Sequence, residues 1–82
     1  MRKTQQKADY LTVKMTATTL ILAEGVTTTL EVKNKLRKQG YLAFQHDVSE
    51  QMFEIALREN WVHYDNGQFR IYTFPQIGIL PQ

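Results

Sequence analysis

Apolar side chains recur at helical spacing through three stretches of the chain and at alternate positions through a fourth. Between Asp9 and Glu24, the residues Tyr10, Leu11, Met15, Leu20, Ile21, Leu22 and Ala23 predict a helix that Gly25 would stop. Threonines 16, 18 and 19 work against it, because β-branched side chains lose rotamer freedom in a helix. The alternative is a break near Thr16 with an extended piece from Leu11 to Lys14. Val26 to Thr28 is β-branched and short, suited to one edge strand.

The next helix spans Thr28 to Gln39, with Thr29, Val32 and Leu36 as its inner stripe and Glu31, Asn34, Lys35 and Lys38 outside. Leu30 falls off that stripe and is expected to pack on the preceding helix. Thr28 with Glu31 has capping-box spacing, and Gly40 supplies the left-handed stop, with Tyr41 behind it to pack on Leu36. A second capping box, Asp47 with Glu50, opens a helix to Glu59 that Asn60 ends. Met52, Phe53, Ala56 and Leu57 form its expected inner face, with Val48 and Ile55 at the margins and Glu50, Gln51, Glu54 and Arg58 opposite. The six-residue link from Tyr41 to His46 is apolar, so Tyr41, Leu42 and Phe44 are expected to tuck into the core.

The fourth stretch, WVHYDNGQFRIYTF, alternates around Asn66-Gly67, a strong hairpin signal. A two-residue turn with positive φ at both positions pairs Asp65 with Gln68, Tyr64 with Phe69, Val62 with Ile71 and Trp61 with Tyr72. Alternation puts Val62, Tyr64, Phe69 and Ile71 on one face and Trp61, His63, Arg70 and Tyr72 on the other. Ile21, Val32, Leu36, Met52, Phe53, Leu57, Val62 and Ile71 are expected among the most buried side chains. Phe74-Pro75 ends the strand. Residues 1–8 read as a basic arm, 9–74 as an α+β domain, and 75–82 as a tail whose Ile77, Ile79 and Leu80 could pack on the body or on a second subunit.

Composition adds bounds. At 82 residues there is room for one modest core, and 43% hydrophobic with 22% charged residues is ordinary for a globular chain. Without cysteine there is neither a disulfide framework nor a thiolate zinc site, and His46 and His63 share no metal-ligand spacing. The longest apolar runs fall far short of a membrane span, which leads us to expect a cytoplasmic protein without membrane contact. The net charge of +2 is unevenly spread. Arg2, Lys3, Lys7 and Lys14 against Asp9 leave +3 over residues 1–14, and Lys33, Lys35, Arg37 and Lys38 against Glu31 leave +3 over 28–40. Residues 41–67 carry −4. Basic segments attract phosphate, although lysines late in a helix also suit its dipole. No nucleophile–base pair, phosphate-cradling glycine loop or cofactor motif is present, so neither catalysis nor a small-molecule cofactor is expected.

The order helix, short strand, helix, link, helix, hairpin resembles the winged helix-turn-helix superfamily. TTTLEVKNKLRKQGY corresponds to the first helix of the pair, DVSEQMFEIALREN to the second and WVHYDNGQFRIY to the wing. The resemblance implies a small transcription regulator or accessory factor that binds double-stranded DNA. Lys35, Lys38, Arg70, Arg2 and Lys3 would then meet the backbone, and Gln51 and Arg58 would read bases. Glu50 and Glu54 make the second helix unusually acidic for that task; they would accept from cytosine or face away from the duplex. The alternative is a protein–protein module, a dimer or adaptor that uses Glu50, Glu54, Trp61, Tyr72 and the apolar tail.

Overall fold

The computed structural model describes residues 6–75, so expectations for Arg2, Lys3 and the tail from Gln76 onward lie outside the described residues. Helix α1 runs unbroken over Tyr10–Glu24, despite its threonines. Asp9 caps it by accepting from the Thr12 N–H at 2.9 Å, and Gly25 (φ 91°) ends it. Strand β1 is Thr27–Thr28, and α2 is Thr29–Lys38 with Thr28 as its cap, accepting from the Glu31 N–H at 3.2 Å. The box is half closed: the Glu31 carboxylate accepts from the Thr27 hydroxyl at 3.3 Å. Gly40 (φ 94°) follows, and bonds from the Tyr41 N–H to the Leu36 carbonyl and from the Gly40 N–H to the Arg37 carbonyl close a Schellman turn.

Helix α3, Gln45–Glu59, begins two residues before the expected cap. Phe44 occupies the cap position with no side-chain hydrogen bond, and Asp47 instead pairs with Lys7 at 3.1 Å. Packing explains the shift. Val48 and Ile55 turn inward beside Met52 and Ala56, each at most 2% exposed. Burying two such side chains contributes about 1.5–3 kcal/mol each, against about 1 kcal/mol for a cap. Phe53 and Leu57, expected inside, face outward at 38% and 63% exposure. Asn60, left-handed at φ 62°, ends the helix as expected.

Strands β2 (Val62–Asp65) and β3 (Arg70–Thr73) complete an antiparallel sheet ordered β1-β3-β2. The register differs from expectation by two residues: Val62 pairs with Thr73, His63 with Tyr72, Tyr64 with Ile71 and Asp65 with Arg70. The loop is therefore Asn66 to Phe69, and only Gly67 in it has positive φ. Asn66 Oδ1 accepts from the Gln68 and Phe69 N–H groups at 2.9 and 3.0 Å, and Asp65 Oδ1 accepts from the Gly67 N–H at 2.9 Å. These side-chain bonds replace the tight turn. A shift of two preserves the grouping of side chains by face, but the buried face is the other one. Tyr72 is fully buried, whereas Val62, Tyr64 and Phe69 are exposed and Ile71 is only partly covered.

The core joins Val13 and Ala17 of α1, Val32 and Leu36 of α2, Ala43 of the link, Val48, Met52, Ile55 and Ala56 of α3, and Tyr72 of β3. Ile21 is buried too. In the link, Ala43 takes the inside position, Tyr41 and Leu42 are partly buried, and Phe44 is exposed. The Leu42 N–H donates to the Gln6 carbonyl at 2.9 Å, so the chain is held against the link at Gln6 and Lys7. The arrangement is α+β and winged-helix-like.

Candidate nucleic-acid interface

An open groove of about 230 Å³ lies between the start of α2, the N-terminal half of α3 and the wing. Thr29 and Leu30 line it from α2, Gln45 and Ser49 from α3, and Asp65, Gln68, Phe69 and Arg70 from the wing. Leu30 thus belongs here, not against α1, because the Thr29 side of α2 faces α3 and the wing. Arg70 reaches toward α3 and lies 4.9 Å over the ring of Phe53, which also meets His63 edge-on at 5.2 Å. Cation–π contact holds the guanidinium in place without consuming its charge.

Beside the groove, helical spacing sets Leu30, Lys33 and Arg37 in one row along α2. The Arg37 Nε–H donates to the Ala43 carbonyl at 2.9 Å, which anchors that guanidinium next to the start of α3. No side chain caps α3, so its first N–H groups stay open where the helix dipole favours an anion. Among the described residues, Lys35 and Lys38, on the far flank of α2, have no carboxylate within ion-pair distance, but three other cations are paired. Lys7 pairs with Asp47, Lys14 with Glu59 at 2.8 Å and Arg58 with Glu54 at 2.9 Å. Among the described residues, no carboxylate lies within ion-pair distance of Lys33, Arg37 or Arg70.

The other residues named from the sequence lie elsewhere. Lys35 and Lys38 stand on the opposite flank of α2, beside Leu20 of α1. Gln51 and Arg58 turn toward the N-terminal segment: Gln51 Nε2 donates to the Ala8 carbonyl at 3.4 Å, and Arg58 sits 5.2 Å over the Tyr10 ring. Glu50 is paired with His46 at 3.3 Å, and Glu54 with Arg58, so each carboxylate on the outer face of α3 has a local partner. Of the residues assigned to the interaction alternative, Tyr72 is fully buried and Trp61 half-buried against Phe74, which removes that aromatic face as a surface. Lys33, Arg37, Gln45 and Ser49, which lie in or beside the groove, are not among the residues named from the sequence. The inner stripe of α2 leaves two basic flanks equally placed, and nothing in its period says which one meets α3.

Among the described residues, two groups have shifted acidities. The Thr12 N–H holds the Asp9 carboxyl below its ordinary value, and the hydrogen bond to Glu59 raises the Lys14 ammonium above its own. Among the described residues no cluster of histidine and carboxylates could hold a metal ion, and no helix is long and apolar enough to cross a membrane. Comparison with known proteins finds no matching family, no similar curated protein and no similar solved structure.

Proposed function

We propose that this domain is a cytoplasmic DNA-binding protein, a transcription regulator or accessory factor, that grips duplex DNA along the groove between α3 and the wing. The observation that carries the reading is the placement of Arg37 beside the uncapped start of α3 and of Arg70 in the groove, with Lys33 in the same row of α2 as Arg37 and no carboxylate paired with any of the three among the described residues. In this arrangement the three cations and the α3 N–H groups take phosphates. Gln45 and Ser49, short polar side chains on the groove side of α3, replace Gln51 and Arg58 as the base-reading candidates.

The test is an NMR titration with a short random duplex at low salt. Shifts at Lys33, Arg37, Gln45, Ser49 and Gly67 to Arg70 are expected. Shifts confined to Lys35, Lys38 and the Gln51–Arg58 flank, or none at all, would overturn the assignment. A second reading, a protein-docking module that leaves DNA alone, is favoured by one observation: the outward sheet face of Val62, Tyr64 and Ile71 is apolar where sheets usually present polar residues. It predicts no duplex binding at any salt.

A further inference from the structure

Helix α1 carries apolar residues around its whole circumference, a composition that belongs to a helix covered on every side. Among the described residues only one side is covered, the side of Val13, Thr16, Ala17 and Ile21. On the other, Leu11, Met15 and Leu22 are 59%, 60% and 73% exposed. With Thr18 between them they fall at spacings of four, three and four residues, which is the seam by which one helix packs its side chains between those of another. The single charged side chain between Asp9 and Glu24 is Lys14, and Glu59 of the same chain already holds it at 2.8 Å.

We propose that two copies of this chain associate through α1, stripe against stripe, across a two-fold axis. The spacing asks for a helical partner, and an uncharged stripe asks for an uncharged one. The outer rows of α2 and α3 carry Glu31, Lys35 and Lys38, and Glu50, Glu54 and Arg58, so they do not match it. The α1 stripe of a second copy does, and it brings no like charges together. Self-complementarity of this kind closes as a dimer and does not propagate. The contact is small. Four side chains per copy along a helix about 22 Å long bury less than the roughly 1,200 Å² of the smaller stable interfaces. Association is therefore weak and reversible. None of the groove residues lies on α1, so the proposal stands or falls separately from DNA binding.

Sedimentation equilibrium of the full chain tests it. Between about 10 μM and about 1 mM the mass should climb from the 9.6 kDa monomer toward twice that value. Met15→Lys and Leu22→Lys should each hold it at the monomer mass, with melting temperature unchanged because both side chains are exposed. Tyr64→Lys, on the outward sheet face, should leave the dimer intact. Amide shifts on dilution, which need no variant, should be confined to Leu11 through Leu22. A wild-type chain monomeric at the highest concentration, a dimer that survives both α1 variants, or one lost with Tyr64→Lys would each overturn the proposal.

Discussion

Neutralising Arg37 and Lys35 separately puts the groove assignment to a quantitative test, because the two residues lie on opposite flanks of one short helix. Arg37→Gln removes the charge but keeps an amide able to donate to the Ala43 carbonyl, so the link should keep its path. Each phosphate contact contributes about −0.9 to the slope of log affinity against log salt on duplex DNA. Contacts from Lys33, Arg37 and Arg70 together give a slope near −2.7, or about a 40-fold loss of affinity between roughly 50 and 200 mM salt. Arg37→Gln should flatten the slope to about −1.8 and reduce that loss to about 12-fold. Lys35→Gln, beside Leu20, should change affinity slightly through long-range attraction and leave the slope within about 0.3 of wild type. The assay is fluorescence anisotropy of a labelled random duplex over a salt series, with melting curves to confirm that both variants fold. Equal flattening by the two substitutions, or flattening by Lys35→Gln alone, would refute the placement of the duplex on the α3 side of α2.

Three further outcomes follow from the packing and the caps. Leu36→Ala, at a site with no exposure, should cost about 2–5 kcal/mol, which for a domain of this size lowers the melting temperature by more than about 8 °C; a loss below about 1 kcal/mol would mean that α2 is rotated. Tyr72→Phe removes a buried hydroxyl that has no hydrogen-bond partner among the described residues. It should leave denaturant stability unchanged or raised, and a loss beyond about 1 kcal/mol would show that the hydroxyl is bonded. The folded-state pKa of Asp9 is depressed, so its capping contribution is present above the ordinary carboxylate value of about 3.9 and lost as pH falls through its lower folded value. Asp9→Ala should therefore reduce hydrogen-exchange protection at the start of α1 near neutral pH, and the gap to wild type should close in strong acid.

Element order and most boundaries were legible in the sequence because the signals are local and unopposed. Gly25, Gly40 and Asn60 each stop a helix where expected, since each adopts a positive φ that other residues resist. The errors fall where two local patterns compete and tertiary packing decides. Helix α3 holds two overlapping apolar stripes, Val48-Met52-Ile55-Ala56 and Met52-Phe53-Ala56-Leu57, and only the position of its neighbours selects the first. At the wing, the Asn66 side chain can bond to the backbone ahead of it, which competes with the left-handed turn that Asn-Gly favours. The site was less legible than the fold. Its basic residues depend on which flank of α2 meets α3, and its polar ones on where α3 begins.

The two-residue offset of the hairpin also bears on the register of the wing. A slip of β3 by one position would turn its side chains over, and the buried Tyr72 forbids it. A slip of two, one pleat or about 7 Å, keeps each side chain on its own face and restores the tight Asn66-Gly67 turn. Strand β2 is the edge of the sheet, bonded on one side only. What holds it at its present notch is the pair of hydrogen bonds on Asn66 and the seating of Trp61 against Phe74. The wing thus ends in a four-residue tip whose length is latched by the side chains of Asp65 and Asn66.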